Sequence, residues 1–473
     1  MSLLAFAGIS IAAAALCIVL HRFPLAAGGV AVAGLLATSV AAASIGSDGV
    51  TVGGATIGGS PFVRLFLLLG SVAGLLLVLV SAASDGRWTL PTAVLTGLAA
   101  GGVGLGSDSL LLAVVTAGVG GIVATLVTFE RPSLRNIALG GHQLRAAVVG
   151  VGLLALAIAW TAPRAGAATL PGPVVGLAYL GGVIGVALRL GVVPLHLWAA
   201  RSAGVVPIVT IPVVLAWAPV LLGLPAVGWT VESADSLGFG VGTERVLVAT
   251  AGMVAFLLAS FAATVHEDVA HVVGYSTLGA ASLVVVAMTA LDASILPPLR
   301  TYVLGYLSAA SAAAAWAGLL EAGFGGRRRD ELAGWARRAP LLGVAAAGVL
   351  VAWVGWPGSA LWEARLAIAD LSAAGPLGAL VIVGAVGPAL AIGRWLVAGT
   401  GRPSPAVARA LPLTFARPER ERPRTALAVA PWLLAVIRLN VLALAAVAAA
   451  ALAILAVAVS AGGLGLPAAV ANP

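Results

Sequence analysis

Apolar residues run through most of the chain in blocks of about 20, without the alternation that marks a half-buried strand, and each block closes on a short cluster of Gly, Pro, Ser or Arg. A helix of that length, apolar all round, crosses a hydrocarbon core roughly 30 Å thick at ~1.5 Å per residue. Fourteen spans are predicted, at 3–20, 24–44, 61–83, 88–105, 109–128, 143–162, 172–199, 205–226, 243–264, 270–290, 300–322, 340–362, 375–398 and 432–460. The first block has no positive charge before it and runs straight into the second, so it is expected to be a retained helix rather than a cleaved signal. The alternating pattern of an outer-membrane barrel is absent from the sequence.

Composition narrows the class. With 61% of residues hydrophobic, 9% charged and a mean hydropathy of +1.12 over 473 residues, the chain reads as an all-α integral membrane protein with no room for a soluble catalytic domain. The arginines orient it. Loops after odd-numbered spans carry Arg22, Arg87, Arg131, Arg135, Arg201, Arg327, Arg328, Arg329, Arg337, Arg338, Arg402, Arg409, Arg417, Arg420, Arg422 and Arg424. Loops after even-numbered spans carry only Arg164, with Arg245 and Arg300 at their far edges. The bias puts odd loops in the cytoplasm and both termini outside.

All 25 basic residues are arginine. A high-GC genome accounts for that, but it removes lysine, the usual membrane cation able to give up its proton. The net charge of +8 lies mostly in predicted cytoplasmic loops, where it meets anionic headgroups and is no argument for nucleic acid. The single Cys17 leaves no disulfide framework or cysteine cluster, and no P-loop, dinucleotide fingerprint or metal-ligand spacing is present in the sequence.

Chemistry must then rest on polar residues at membrane depth, which are costly there and face a cavity or a partner. "LRLGVVPLHLWAA" sets Arg189 before and His196 after a break at Gly191 and Pro194, where freed carbonyls need water or side chains. The plainer reading is that Arg189 braces the bundle and His196 caps a helix end. "VAWVGWPGSALWEARL" repeats the break at Gly355, Pro357 and Gly358, followed by Glu363 and Arg365. One Gly/Pro-broken span in each half points to inverted repeats with sites near the midplane. Spans 4 to 8 and 9 to 13 form two five-helix repeats, with broken spans 7 and 12 in corresponding places. The expected organisation is residues 1–87 for the first three helices, 88–226 and 227–400 for the repeats, and 401–473 for an Arg/Pro-rich loop and last helix.

Three stretches carry a resemblance. "LRLGVVPLHLWAARSAGVVP" resembles the lysine-bearing seventh helix of the antiporter-like subunits of respiratory complex I, F-K-x-G-x-x-P-[FL]-H-x-W. "EDVAHVVGYSTLGAASLVV" is similar to that family's D-x-K-R-x-x-A-Y-S-[ST] stretch, and "DELAGWARRAPLLGVAAAGVLVAWVGWPGSALWEARL" resembles its broken twelfth helix. The matches fall in the family's order over roughly residues 185–400. The resemblance implies a membrane-arm subunit of a NADH-quinone oxidoreductase, or of a membrane-bound hydrogenase or multisubunit cation/proton antiporter. In that family a charged axis couples redox chemistry elsewhere to proton transfer. The chain itself is expected to bind no cofactor; NADH, flavin, iron-sulfur clusters and quinone belong to other subunits. Its partners are expected to be other membrane-arm subunits and lipid, with no nucleic acid, in a bacterial or archaeal cytoplasmic membrane. Length favours an N or M type; basic Arg365 leans to N, and "GWPGS" to M.

Departures from the family pattern matter as much. The family's seventh- and twelfth-helix charges fall on Arg189 and Arg365, its fifth-helix glutamate has no counterpart in "SLLLAVVTAGVGGIVATLV", its eighth-helix lysine falls near Ala218, and its basic pair at the tenth span becomes Ala270 and His271. Arginine cannot relay by releasing its own proton, so the expected titrating groups are His196 near Arg189, Glu363 near Arg365, and His271 with Asp268. Either proton conduction is retained through these, or the subunit keeps fold and partners without a channel. Plainer roles fall to Arg64 and Arg394, which snorkel, to Glu130 and Arg131 at the end of span 5, and to Trp88, Trp160 and Trp198 at interfaces. The 402–424 loop is expected to meet lipid or a partner.

Overall fold

The computed structural model describes residues 1–83, 89–129, 133–162, 171–410 and 426–471, with the side chains of 135, 236, 238, 239 and 426–439 outside that set. The described apolar blocks are helical, and short helices lie between and beyond them. The helices are α1 (Leu3–Val19), α2 (Pro24–Ala43), α3 (Pro61–Ser81), α4 (Thr89–Leu105), α5 (Leu110–Thr125), α6 (Leu134–Thr161), α7 (Gly172–Leu190), α8 (Leu197–Ala203), α9 (Ala218–Glu232) and α10 (Ala234–Gly240). There follow α11 (Gly242–Val265), α12 (Val269–Ala287), α13 (Leu296–Phe324), α14 (Trp335–Arg338), α15 (Pro340–Val354), α16 (Ala360–Leu371), α17 (Ala379–Thr400), α18 (Pro405–Arg409), α19 (Ala426–Ser460) and α20 (Leu466–Ala471). Among the described residues eleven helices are long and apolar enough to cross a membrane, and α1, α4 and α15 are shorter apolar helices at predicted spans 1, 4 and 12. The protein is a multi-pass membrane protein.

Several helix starts follow from local chemistry. Ser60, Ser109, Ser133, Ser359 and Ser404 each precede a helix and accept a backbone N–H in its first turn. Their side-chain oxygens satisfy donors that have no partner inside the helix, and Pro61 and Pro405 follow at the position where a missing N–H costs nothing.

The all-α expectation needs one correction. Val50–Val52 (β1) and Ala55–Ile57 (β2) pair as an antiparallel hairpin, with Gly53 and Gly54 at φ 60 and 88 in the turn. Two positive-φ residues give the turn whose twist matches the strands. Asp108 clips the hairpin to the loop before α5, its carboxylate accepting from Thr56 N–H at 2.9 Å. The predicted boundary near residue 143 also moves: α6 begins at Leu134, nine residues earlier, because Ser133 caps it.

Burial is concentrated in the middle of the bundle. The apolar stretch of α13 is wholly buried, and α12 and the 208–232 segment nearly so. The α13 sequence "GYLSAASAAAAWAGLL" explains this, since Gly, Ala and Ser let neighbouring backbones approach where lipid supplies no hydrophobic drive between helices. Residues 411–424 of the Arg/Pro-rich loop, with Glu130, Arg131, Arg87 and Arg164, lie outside the described residues.

Candidate functional site

The first break forms as the Gly/Pro pattern predicts. The helix α7 stops at Leu190 because Gly191 turns left-handed at φ 67, which lets Val192 N–H close back on the Ala187 carbonyl at 2.9 Å. The chain re-enters a helix at α8 behind His196, which sits at the cap position without a side-chain capping bond. Trp198 folds back and its indole N–H donates to the Leu188 carbonyl at 2.9 Å. A side chain therefore satisfies part of the freed backbone.

Arg189 lies in the last turn of α7, 3% exposed, with Cζ 6.0 Å from the centroid of the Trp198 ring. Its Nη2 is buried without a hydrogen-bond partner, and Arg189 makes no ion pair among the described residues. Two glycines make its room. A Cβ on Gly121 of α5 stands 3.2 Å from Nε and Nη2, and one on Gly150 of α6 stands 3.2 Å from the Arg189 Cβ. The place on α5 that faces this cation carries no side chain.

The second break is built differently around the same residue type. The helix α15 ends at Val354, Gly355 adopts φ 62, and α16 starts behind Ser359. Arg365 is 3% exposed and its guanidinium donates to the carbonyls of Trp353 and Val354, the two groups the break frees. Its Cζ lies 5.8 Å from the centroid of the Tyr302 ring, and Tyr302 donates its hydroxyl to the Ala280 carbonyl at 2.7 Å. Glu363 is exposed and turned away, since two residues along a helix are about 200° apart. The structure does not bring Glu363 to Arg365. The grooves beside the two breaks, about 300 and 480 Å³, are lined almost wholly by apolar side chains rather than by the polar groups a hydrated pocket needs.

Between the breaks, Ile208–Thr210 is a 3₁₀ turn and Val213–Trp217 a π turn leading into α9 at Ala218. Trp217 donates to the Ser311 hydroxyl at 3.0 Å, tying this irregular backbone to α13. Ala218 lines a cavity of about 30 Å³ with Phe66, Gly70, Leu98, Trp217 and Leu221. The cavity beside Ala218 is thus small and apolar, and a water in it would find too few polar partners to be held.

Four rings gather on the other side of the first break. The His196 ring centroid is 6.3 Å from that of Tyr275; Tyr275 stacks on His266 at 4.9 Å and 14°, and His266 stacks on His271 at 5.0 Å and 15°. Asp268 caps α12, accepting from Ala270 N–H at 2.8 Å, and its Oδ2 is 3.7 Å from His271 Nδ1. Burial pulls the His266 ring below the usual histidine range, repulsion from His271 adds to this, and Asp268 opposes it. Burial pushes Asp268 up, but the His271 ring, the Ala270 N–H and Arg327 outweigh it and hold the carboxyl below the usual carboxylate range. The loop is pinned by backbone pairing of Val269 N–H to Arg327 O and Arg329 N–H to Glu267 O, both 3.0 Å. The Glu267 carboxylate takes Arg329 at 2.9 Å and Arg394 at 3.2 Å, so Arg394 is paired where it was expected to snorkel.

Of the residues singled out from sequence, His196, His271 and Asp268 fall in this cluster, while Arg189 and Arg365 sit apart at the breaks. His266 and Tyr275 were not anticipated. A signal existed, because Tyr275 is four residues after His271 and so shares its helix face.

Two broken helices, each with a buried arginine, in a bundle of apolar helices around a small-residue core define a membrane protein of the antiporter-like class. Residues 107–390 match the family described as NADH:quinone oxidoreductase/Mrp antiporter, TM, and the chain belongs to that family. NADH-quinone oxidoreductase subunit N of Cereibacter sphaeroides is 31% identical over 219 residues, covering 44% of each chain, so the match spans under half that relative's length. Over the whole chain the fold is similar to a chain of respiratory complex I from Thermus thermophilus with bound aureothin, with TM-score 0.71, 18% identity and full coverage of both chains. It is also similar to a chain of an archaeal membrane-bound sulfane sulfur reductase, with TM-score 0.70, 16% identity and 99% coverage of both. A chain of the Mrp complex from Dietzia sp. gives TM-score 0.62 at 19% identity, with 97% of both covered.

Proposed function

We propose that this chain is a membrane-arm subunit of a complex I-type NADH-quinone oxidoreductase and contributes to proton translocation driven by electron transfer to quinone. The observation that carries the reading is the pair of buried arginines, Arg189 and Arg365, at two helix breaks. Fixed cations in a low-dielectric interior change the proton affinity of groups and waters around them without themselves deprotonating. In this reading the chain has fourteen spans, with inverted five-helix repeats at spans 4 to 8 and 9 to 13 and both termini outside a bacterial or archaeal cytoplasmic membrane. The redox groups, NADH, flavin, iron-sulfur clusters and quinone, belong to other subunits, and lipid and those subunits are its partners.

A second reading is favoured by Gly121 and Ala218. With no carboxylate paired to Arg189 among the described residues and no ionisable group lining the cavity at Ala218, the first repeat is a channel remnant kept for fold and assembly. Arg189→Met and Arg365→Met in the assembled complex separate the readings, with protons pumped per electron as the readout. Loss of pumping on both, with assembly intact, supports translocation through both halves. Loss on Arg365→Met alone assigns the first repeat to scaffolding, and unchanged pumping on both overturns the proposal.

A further inference from the structure

Two furrows on the surface of α17 run into one another. The first is the groove of about 480 Å³ beside the second break, lying between α15 and α17, with Trp356, Pro357 and Trp362 at its wall. The second, about 420 Å³, continues along α17 past Leu390 and Gly393 to Arg394 and Arg329. Ala389 lines both, so one apolar track joins the break to a pair of cations. Its dimensions are those of a single leaflet. From Arg394 back to Ala385 is nine residues, about 14 Å of helix, against ~15 Å for half of a hydrocarbon core of ~30 Å.

The cationic end is left short of negative charge. Arg329 and Arg394 share one carboxylate, that of Glu267, at 2.9 and 3.2 Å. Arg394 also donates from Nη1 to the Thr264 carbonyl at the end of α11, and Arg337 donates to the Thr400 carbonyl at the end of α17, bonds that leave both charges in place. The side chains of Arg329 and Arg394 are 28% and 41% exposed, and each guanidinium keeps N–H groups beyond those it spends on Glu267. A planar fork of that kind suits a phosphate, which accepts two parallel hydrogen bonds from it.

We propose that this track binds one anionic phospholipid, its phosphate held by Arg329 and Arg394 and one of its acyl chains laid along α17 to the second helix break. The site involves no proton transfer and stands apart from the translocation reading. Charge selects this occupant. A zwitterionic lipid brings a cation of its own to two arginines that already share a single acid, and an apolar helix of a neighbouring subunit brings them no partner. The acyl chain would also brace the break. Arg365 holds the Trp353 and Val354 carbonyls from inside the bundle, and the chain packs the same turn from outside, where Trp356 is 40% exposed. Gly393 offers a way to fill the track from within, since a Cβ there meets no atom within 4 Å.

The test is native mass spectrometry of the full chain, stripped of lipid in mild detergent and titrated separately with phosphatidylglycerol and phosphatidylcholine of the same acyl chains. One phosphatidylglycerol per chain is expected to bind about fivefold or more tightly than phosphatidylcholine. Arg329→Gln combined with Arg394→Gln should bring the two lipids level. Gly393→Leu, which keeps both arginines, should weaken phosphatidylglycerol binding by obstructing the chain; should the arginine variant fail to fold, this one decides. Equal affinity of the unaltered chain for the two lipids, or phosphatidylglycerol binding undiminished in Gly393→Leu, overturns the site. In the assembled complex, phosphatidylglycerol carrying a diazirine at the end of one acyl chain is expected to crosslink within residues 350–362 on illumination. Crosslinks that fall only elsewhere would show that the track is covered by protein or left to bulk lipid, and would overturn the site as well.

Discussion

Gly121 lies directly beneath the Arg189 guanidinium, where a Cβ would stand 3.2 Å from both Nε and Nη2. The atoms it would meet are the far end of a flexible side chain, so a small residue fits after a shift of a few tenths of an ångström. What it carries then decides the energy. A carboxylate gives the buried cation a partner, whereas an apolar residue crowds it and offers none. Gly121→Asp is therefore expected to melt at a higher temperature than Gly121→Leu, with the leucine variant costing ~1–3 kcal/mol from overpacking. Thermal unfolding in detergent checks it; a leucine variant as stable as the aspartate one would show that Arg189 already has all the pairing it needs.

Arg365 does for the second break what Trp198 does for the first. Its removal leaves the Trp353 and Val354 carbonyls without a donor in a buried site, at about 1–3 kcal/mol for each orphaned group. Arg365→Met should destabilise the chain by several kcal/mol on that scale, and Arg365→Lys by less, because a lysine restores charge and at most part of the fork. A lysine variant as damaged as the methionine one would assign the loss to the guanidinium shape rather than to charge.

Gln143 is 1% exposed and joins three segments. Its Oε1 accepts from Thr128 at 2.5 Å after α5, and its Nε2 donates to the Ser202 hydroxyl at 2.6 Å on α8. Ser202 in turn donates to the Trp198 carbonyl at 2.7 Å. Gln143→Leu keeps the volume and leaves two buried hydroxyls short of a partner, so a loss of about 1–3 kcal/mol is expected. Faster hydrogen exchange confined to α8 and the first break would accompany it. Exchange that rises equally throughout the bundle would count against a local tie.

Much of this geometry was written in the apolar blocks and their interruptions. Gly191, Pro194, Gly355 and Pro357 mark both breaks because each removes either a conformational penalty or a backbone donor, effects that act within a few residues. What closes the breaks was not legible, since Trp198 and Arg365 act on carbonyls that only the folded backbone presents. The missing carboxylate on α5 could be read, but not that Gly121 is the residue facing Arg189. The hairpin at 50–57 went unseen because three-residue strands fall below any periodic signal, although Gly53-Gly54 between alternating residues is its mark. His266 escaped because its significance is a stack formed across a helix gap, whereas His271 and Asp268 stood within a recognisable stretch.

That stack makes the loop between α11 and α12 sensitive to pH in a definite direction. The ordinary value for histidine is 6.5, and the folded value of His266 lies below it through burial and then the nearness of His271. Below pH 6.5 the unfolded segment takes a proton that the folded one refuses, so the contribution of His266 to stability is full above that pH and is lost as pH falls through the folded value. Asp268 behaves oppositely in range: its folded value is below the ordinary 3.8, so its contribution persists at pH 5 and goes only in stronger acid. Between pH 7 and 5 the segment should therefore loosen through His266 alone of these two. Hydrogen exchange of residues 265–275, corrected for the intrinsic effect of pH, is expected to show more opening at pH 5 than at pH 7. His266→Phe should flatten that dependence, and Asp268→Asn should leave its sign unchanged. Opening that is equal at the two pH values would mean the His266 ring keeps the same proton affinity folded and unfolded.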